Sequence, residues 1–316
     1  MKYLEMAIDK AVQLGADYAD IRIQKTTSES IYLQNFSVKE SNQNVLYGYG
    51  IRIMKDGAWG FAHSNIFTDE ALVKTVQKAF ETAKLSALVK NGAGLRLANE
   101  KSYDATYRTP FKIDPFSIPL KEKAELFMEI NRRMLNYKEV KKAVTFFNAQ
   151  KDEKLFASTL GTRLDINTLY INPMITAYAI PDEDTQSRTF DEGGRNVGWE
   201  WMDELNLIDK AKYIAEEAMM KVHADEIGTE KRRSLILDPN HLGLTMHESV
   251  GHPTELDRVL GWEADYAGIS FATPEKLSKY QYGAQIVNFL GDNTLCHGLA
   301  TLGYDDDGVP GQKWYI

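Results

Sequence analysis

The sequence predicts an α+β fold in two domains, and three observations lead there. The chain has 316 residues, enough for two domains and a hydrophobic core. Its first hundred residues open with an amphipathic helix, continue in alternating strands with a hairpin, and close on a second helix. Residues 86–119 are irregular and contain Pro110, Pro115 and Pro119, after which helical and strand periods begin again. The expected division is an N-terminal α+β domain over residues 1–225, with parts of about 1–105 and 106–225, and a further domain over 226–316.

The opening helix places Leu4, Ile8, Ala11 and Val12 on one side. Ala19, Ile21 and Ile23 then alternate with Asp20, Arg22 and Gln24, the period of a half-buried strand, and SIYLQNFSV continues it. VLYGYGIRIMKDGAWGFAHS reads as a hairpin. Tyr47, Tyr49, Ile51 and Ile53 share a face, Asp56-Gly57 turns, and Trp59 and Phe61 return. Leu72, Val76, Phe80 and Ala83 mark a helix with Thr68 as N-cap. Leu120, Ala124, Phe127 and Ile130 mark the next. Strands are expected near 143–149, 153–158 and 163–180, followed by the glycine-rich turn DEGGRNVGWE and a helix through Ile208, Ala211, Ala215, Ala218 and Val222. Leu235, Ile236 and Leu237 read as a short buried strand, and Asp238-Pro239 as the N-cap and first position of a helix running toward His252.

Composition narrows the function. Apolar residues make up 43% and charged residues 26%, which is ordinary for a soluble globular chain. A net charge of −8 argues against a protein whose main task is gripping nucleic acid or an anionic membrane. A single cysteine, Cys296, excludes an intrachain disulfide and suits a reducing compartment. The amphipathic N-terminus is not a signal peptide, and no apolar run approaches the ~18 residues of a membrane span. The expected address is the cytoplasm.

The chemistry concentrates in MHESVGHPTELD, Met246 to Asp257. His247 and His252 are five apart, so in an unbroken α-helix they would lie about 140° out of alignment, against about 40° for a spacing of four. The local sequence relieves this in one of two ways. Gly251 and Pro253 can end the helix so that His252 swings back from an extended position, or a single wide π-type turn can serve equally well. In metal-dependent hydrolases a glutamate placed like Glu248 is the general base, taking a proton from the attacking water and passing it to the leaving amine. The competing reading is a solvated helix end with no metal. A catalytic zinc also needs a third protein ligand, for which Glu255, Asp257, Glu263, Asp265, Cys296 and His297 are local candidates that spacing does not separate.

The stretch HESVGHPTELDRVLGWEADYAGISFATPEKL strongly resembles the TldD/PmbA family, also called modulator of DNA gyrase proteins. YGYGIRIMKDGAWGFA resembles that family's N-terminal hairpin, EGGRNVGWE its central glycine-rich turn, and GYDDDGVPGQKWYI its DDEG-P segment, so the likeness covers nearly the whole chain. Within it, H-E-x-x-x-H resembles the metal motif of the TldD-type subunit, which the PmbA-type subunit lacks. The resemblance implies a two-domain architecture, an N-terminal α+β domain followed by the start of a β-rich metallopeptidase domain. It implies a zinc peptidase that cuts small unfolded or extended peptides, bound as an added strand, inside a dimer cavity. The dimer would form with itself or with a PmbA-like chain. Family members trim leader peptides of modified peptide antibiotics and degrade antitoxins. In family terms His247 and His252 hold Zn2+ and Glu248 is the catalytic base. Members run well past Ile316 and take their third ligand, a cysteine, from that part. Cys296 is not its counterpart, because it precedes the DDDG segment. By that comparison the chain is expected to be C-terminally shortened. The alternative function is a non-catalytic peptide-binding or regulatory subunit of the same fold.

The remaining motifs read as structural. Cys296-His297 is an incidental loop pair, YDDDG is a solvated turn because the twelve-residue calcium pattern is missing, and Gly48 and Gly50 lie inside a strand. His241 is the best remaining histidine for a partner to the metal ligands. Arg258 is expected to pair with Asp257 or Glu255.

Overall fold

The computed structural model describes residues 2–89, 94–229 and 232–315. The chain divides into two compact units, Met1–Ala224 with Asp292–Lys313, and Asp225–Gly291 with Trp314–Ile316. The first is α+β, as the sequence predicts. Helix α1 (Lys2–Gln13) is followed by strands β1 (Tyr18–Gln34), β2 (Ser37–Lys55) and β3 (Ala58–Ser64), then by helix α2 (Asp69–Val89). Strand β4 (Asp104–Arg108) and helix α3 (Leu120–Leu135) lead to β5 (Val140–Ser158), β6 (Arg163–Ala179) and β7 (Gln186–Asp191), and helices α4 (Glu200–Leu205) and α5 (Leu207–Val222) complete the series.

All seven strands join one sheet in the order β3-β2-β1-β5-β6-β4, with β7 also paired to β6. Every pairing is antiparallel except β4 with β6. The central strands are long enough to serve two cores. Ile21 and Ile23 of β1 pack with Leu4 and Ile8 of α1 and with Leu72, Val76 and Phe80 of α2. Further along the same strand Ile31 and Leu33 pack with Phe127 and Ile130 of α3 and with Ala211 and Ile214 of α5. All four β1 residues are odd-numbered and therefore share one face of the sheet.

Between the two cores, Glu29 of β1 and Lys123 of α3 form an ion pair that is almost wholly buried, with side-chain exposures of 1% and 0%. Gln43 adds a hydrogen bond to the other Glu29 oxygen at 2.6 Å, and the Lys123 ammonium lies 5.5 Å from the ring centres of both Phe147 and Trp199. Two ring faces and two polar partners compensate for the charges that this pair removes from water.

The opposite face of the sheet combines a polar strip with a small apolar cluster of Phe156, Leu164 and Ile166. Asp20, Arg22, Gln24 and Thr26 stand across from Arg52, Phe156, Lys154 and Asp152. The DDDG turn meets this face. Asp306 pairs with Arg22 at 3.3 Å and Lys154 at 2.9 Å, and Asp307 pairs with Arg52 at 2.7 Å. The turn expected to be solvated is thus an acidic clasp on a basic strip.

The Asp56-Gly57 hairpin, the Thr68 cap and the long helices stand where periodicity put them. Three expectations change. Residues 86–119 are not wholly irregular, since α2 runs to Val89 and Asp104–Arg108 forms the parallel edge strand. That strand is too short to show a period and gains its place only from β6. The strands expected at 143–149 and 153–158 are one continuous β5: Gln150 and Asp152 between them face the polar side of the sheet, and Lys151, on the other side, is paired with Asp114. Residues 235–237 are not a buried strand: they have no strand pairing, and Leu235 and Ile236 are 78% and 102% exposed. An apolar run becomes a buried strand only when a neighbouring strand and a covering layer exist for it.

The second unit is built of short pieces. Helix α6 (Pro239–Met246) begins at Asp238, whose side chain accepts a hydrogen bond from the Asn240 amide at 2.9 Å, as the Asp-Pro signal predicts. A π-turn over His247–Gly251, a 3-10 turn over His252–Thr254 and helix α7 (Leu256–Val259) follow. Val250 and Ser270 are the buried side chains among the described residues of 225–291.

Two outcomes follow for the first unit. Lys123→Ala leaves Glu29 buried without its counter-charge and should cost about 3–5 kcal/mol in urea unfolding. The double variant Glu29→Met with Lys123→Met should recover most of that loss, and an additive double variant would refute the pairing argument. Gly60→Ala should cost about 3 kcal/mol or more by the same measurement, because its Cβ would sit 2.0 Å from the Ala79 carbonyl oxygen and 2.3 Å from the Ala83 nitrogen of α2.

Candidate metal centre

The spacing of His247 and His252 is resolved by the backbone. The His252 amide donates to the His247 carbonyl, the bond of a π-turn that returns after five residues. Of the two routes open from the sequence, the wide turn is the one taken. His252 is not extended, with φ −60° and ψ −43°, so the bias from Pro253 is overridden and the chain passes directly into the 3-10 turn. The two imidazole rings face each other edge to face with centres 4.2 Å apart.

Glu248 completes the cluster. Its carboxylate lies 4.0 Å from His247 Nε2 through one oxygen and 4.0 Å from His252 Nε2 through the other. These separations are too long for hydrogen bonds. Taking one donor atom from each of the three residues, all lie within 4.8 Å of one another, the one such His/Cys/Asp/Glu group among the described residues. Two imidazole nitrogens converging beside a carboxylate form a donor set that fits zinc.

The wide turn leaves a run of carbonyls without helical partners, and side-chain hydroxyls take them. Tyr282 donates to the Ser249 carbonyl. Thr254 Oγ1 donates to Val250 O at 2.8 Å and Gly251 O at 3.1 Å. Ser270 Oγ donates to Pro253 O at 2.5 Å. Phe271, Tyr280 and Tyr282 pack as an aromatic trio, with Phe271 and Tyr282 5.4 Å apart.

The second nitrogen of His252 is also occupied. Nδ1 lies 2.9 Å from Glu255 Oε1, and the other Glu255 oxygen lies 2.5 Å from Arg258 Nε. The bond from His252, and then Arg258, hold the Glu255 carboxyl below the usual carboxylate range. Arg258 is itself tied to the Ala267 carbonyl at 3.0 Å. The expected pairing of Arg258 is therefore with Glu255. The place beside a candidate ligand histidine that the sequence offered to His241 belongs to Glu255, and the i, i+3 spacing in H-P-T-E was the signal for it. Glu255 is thereby removed from the candidates for third ligand, because it sits on the far side of the ring from Nε2. Asp257 Oδ1 accepts from the Arg258 amide at 2.8 Å. In the first unit Cys296 is exposed, and His297 Nδ1 bonds the Asn196 carbonyl at 2.9 Å. Ser270 and Tyr282 were not legible as parts of this site, since they come from loops with no motif of their own.

Comparison with known proteins places the chain in a family. Residues 19–83 match the model of PmbA/TldA metallopeptidase domain 1, and residues 113–224 match that of the PmbA/TldA metallopeptidase central domain. A metalloprotease of Methanocaldococcus jannaschii is 28% identical over 311 residues, covering 98% of this chain and 65% of that protein. A zinc metalloprotease TldD homolog of Saccharolobus solfataricus is 20% identical, covering 97% of this chain and 63% of that protein. The chain thus spans less than two thirds of the length of these relatives. The crystal structure of TldE from Thermococcus kodakarensis superposes with a TM-score of 0.67 at 16% identity, over 99% of this chain and 67% of that one, which shows a shared fold. With both domain models matched in order across more than half its length, the chain belongs to the PmbA/TldD metallopeptidase family.

Proposed function

We propose that this chain is the metal-bearing part of a zinc-dependent peptidase acting on small extended peptides. The observation that carries the reading is the placement of the Glu248 carboxylate 4.0 Å from the Nε2 atoms of both histidines. His247 and His252 would hold the zinc. The bound metal would supply Lewis acidity, polarising the peptide carbonyl and lowering the pKa of water toward ~7. Glu248 takes a proton from the attacking water and returns it to the leaving amine, the usual work of a general base that becomes a general acid. It is suited to this because its side chain is 60% exposed and its oxygens lie outside hydrogen-bond reach of both rings. The peptide would lie as an added strand, so that its main chain rather than its side chains supplies most of the contacts. The reading expects a cytoplasmic protein that works as a dimer, with itself or with a PmbA-like chain. Among the described residues no helix is long and apolar enough to cross a membrane.

A second reading rests on the donor count. With Glu248 acting as base, the cluster offers two protein ligands, whereas a catalytic zinc takes three. A non-catalytic peptide-binding or regulatory subunit would keep the fold and could carry the same cluster without the chemistry.

Metal content by mass spectrometry separates the readings. The peptidase reading expects ~1 zinc per purified chain, lost in His252→Ala. In a fluorogenic peptide assay, Glu248→Gln should keep the zinc and lower kcat/KM by about 100-fold or more. Peptide binding without zinc and without cleavage would favour the subunit reading.

A further inference from the structure

The geometry points to Glu255 as the positioning residue of this site, fixing His252 in the tautomer that leaves Nε2 free to bind a metal. The inference rests on the metallopeptidase reading above and deepens it. It starts from the single hydrogen bond between His252 Nδ1 and Glu255 Oε1, at 2.9 Å. An ionised carboxylate can only accept, so the proton of that bond belongs to Nδ1. In a neutral imidazole the other nitrogen then carries the lone pair, and here it is Nε2, the atom 4.0 Å from the Glu248 carboxylate. A carboxylate behind a ligand imidazole both selects the tautomer and makes the metal-facing nitrogen a stronger donor.

Three contacts make Glu255 a fixed partner. Its amide donates to the His252 carbonyl at 3.2 Å, closing the 3-10 turn, so the two side chains leave the backbone at a set separation. Its carbonyl accepts from the Val259 amide at 2.9 Å, anchoring it at the start of α7. Its second oxygen lies on Arg258, which is tied to the Ala267 carbonyl. The chain from Ala267 through Arg258 and Glu255 to His252 thus ends on a ring that is 27% exposed, whereas His247 is 58% exposed. Of the two histidines, His252 is the one whose orientation is set before any ligand arrives.

The test uses the metal-free chain and does not depend on catalysis. Long-range 1H–15N correlation spectra at about pH 8.5, where an ordinary imidazole is neutral, report which ring nitrogen of His252 is protonated. The wild type should show Nδ1–H. Glu255→Ala should shift the ring to the Nε2–H form. Glu255→Gln, whose amide oxygen can still accept, should keep Nδ1–H, which separates the hydrogen bond from the charge and guards against a fold defect. In competition with a chelator, zinc affinity should fall about 10–100-fold in Glu255→Ala, with partial rescue in Glu255→Gln. An unchanged tautomer in Glu255→Ala would overturn the inference, as would a switched tautomer with unchanged zinc affinity. If the wild type bound no zinc, the peptidase reading would fall while the tautomer result still decided the role of Glu255.

Discussion

The register of β1 against its neighbours is the constraint on which the first unit depends. One strand gives Ile21 and Ile23 to the core beneath α1 and α2, and Ile31 and Leu33 to the core beneath α3 and α5. Because side chains alternate between faces, a slip of one residue would send all four into the polar side and lift Asp20 and Arg22 into the apolar one. Glu29 makes the register still more exclusive. It lies on the apolar face, where its charge is tolerable only opposite Lys123. The ion pair therefore discriminates between registers more than it stabilises the right one.

The second unit is held by a different kind of interaction. With so few buried side chains, apolar burial contributes little, and the described segments are tied by hydroxyl groups bonded to backbone carbonyls. These bonds cluster on the one irregular turn. The carbonyls of residues 249, 250, 251 and 253 each take a side-chain donor, and that of His252 takes the Glu255 amide. A wide turn frees more carbonyls than an α-helical ending would, and each unmatched one would disfavour it. Ser270, Thr254 and Tyr282 thus support the turn that carries His247 and His252 although none of them reaches the two rings.

Much of the first unit is legible in the sequence. Periods of two and 3.6 locate β1, the β2–β3 hairpin, α2, α3 and α5, because each has one apolar face to bury and enough length to show it. His247, Glu248 and His252 stand out by residue type, and the structure brings them together. What escapes the sequence is settled by distant partners. The edge strand β4 exists because β6 offers it an open side, and the DDDG turn is paired because Arg22, Arg52 and Lys154 converge on it from three strands. Of the two conformations open to His252, the extended one is not taken, for a local reason with a non-local cause. The preference that Pro253 imposes is weak beside the five carbonyl bonds that favour the wide turn.

The i, i+5 spacing has a chemical consequence that an i, i+4 pair would not share. With histidines four apart in a regular helix, both rings rise from one stripe and the backbone needs no support. Here the turn must widen, and widening moves His252 into the next segment of chain, where it comes within reach of Glu255 three residues on. The same distortion that brings the two Nε2 atoms to one carboxylate also delivers the second nitrogen of His252 to another. One carboxylate faces the reactive side of the rings and stays largely exposed, while the other lies behind and is locked by Arg258. Two glutamates seven residues apart thereby stand in opposite settings because of one backbone feature, and under the proposed reading the first would be free to move a proton while the second directs a ring.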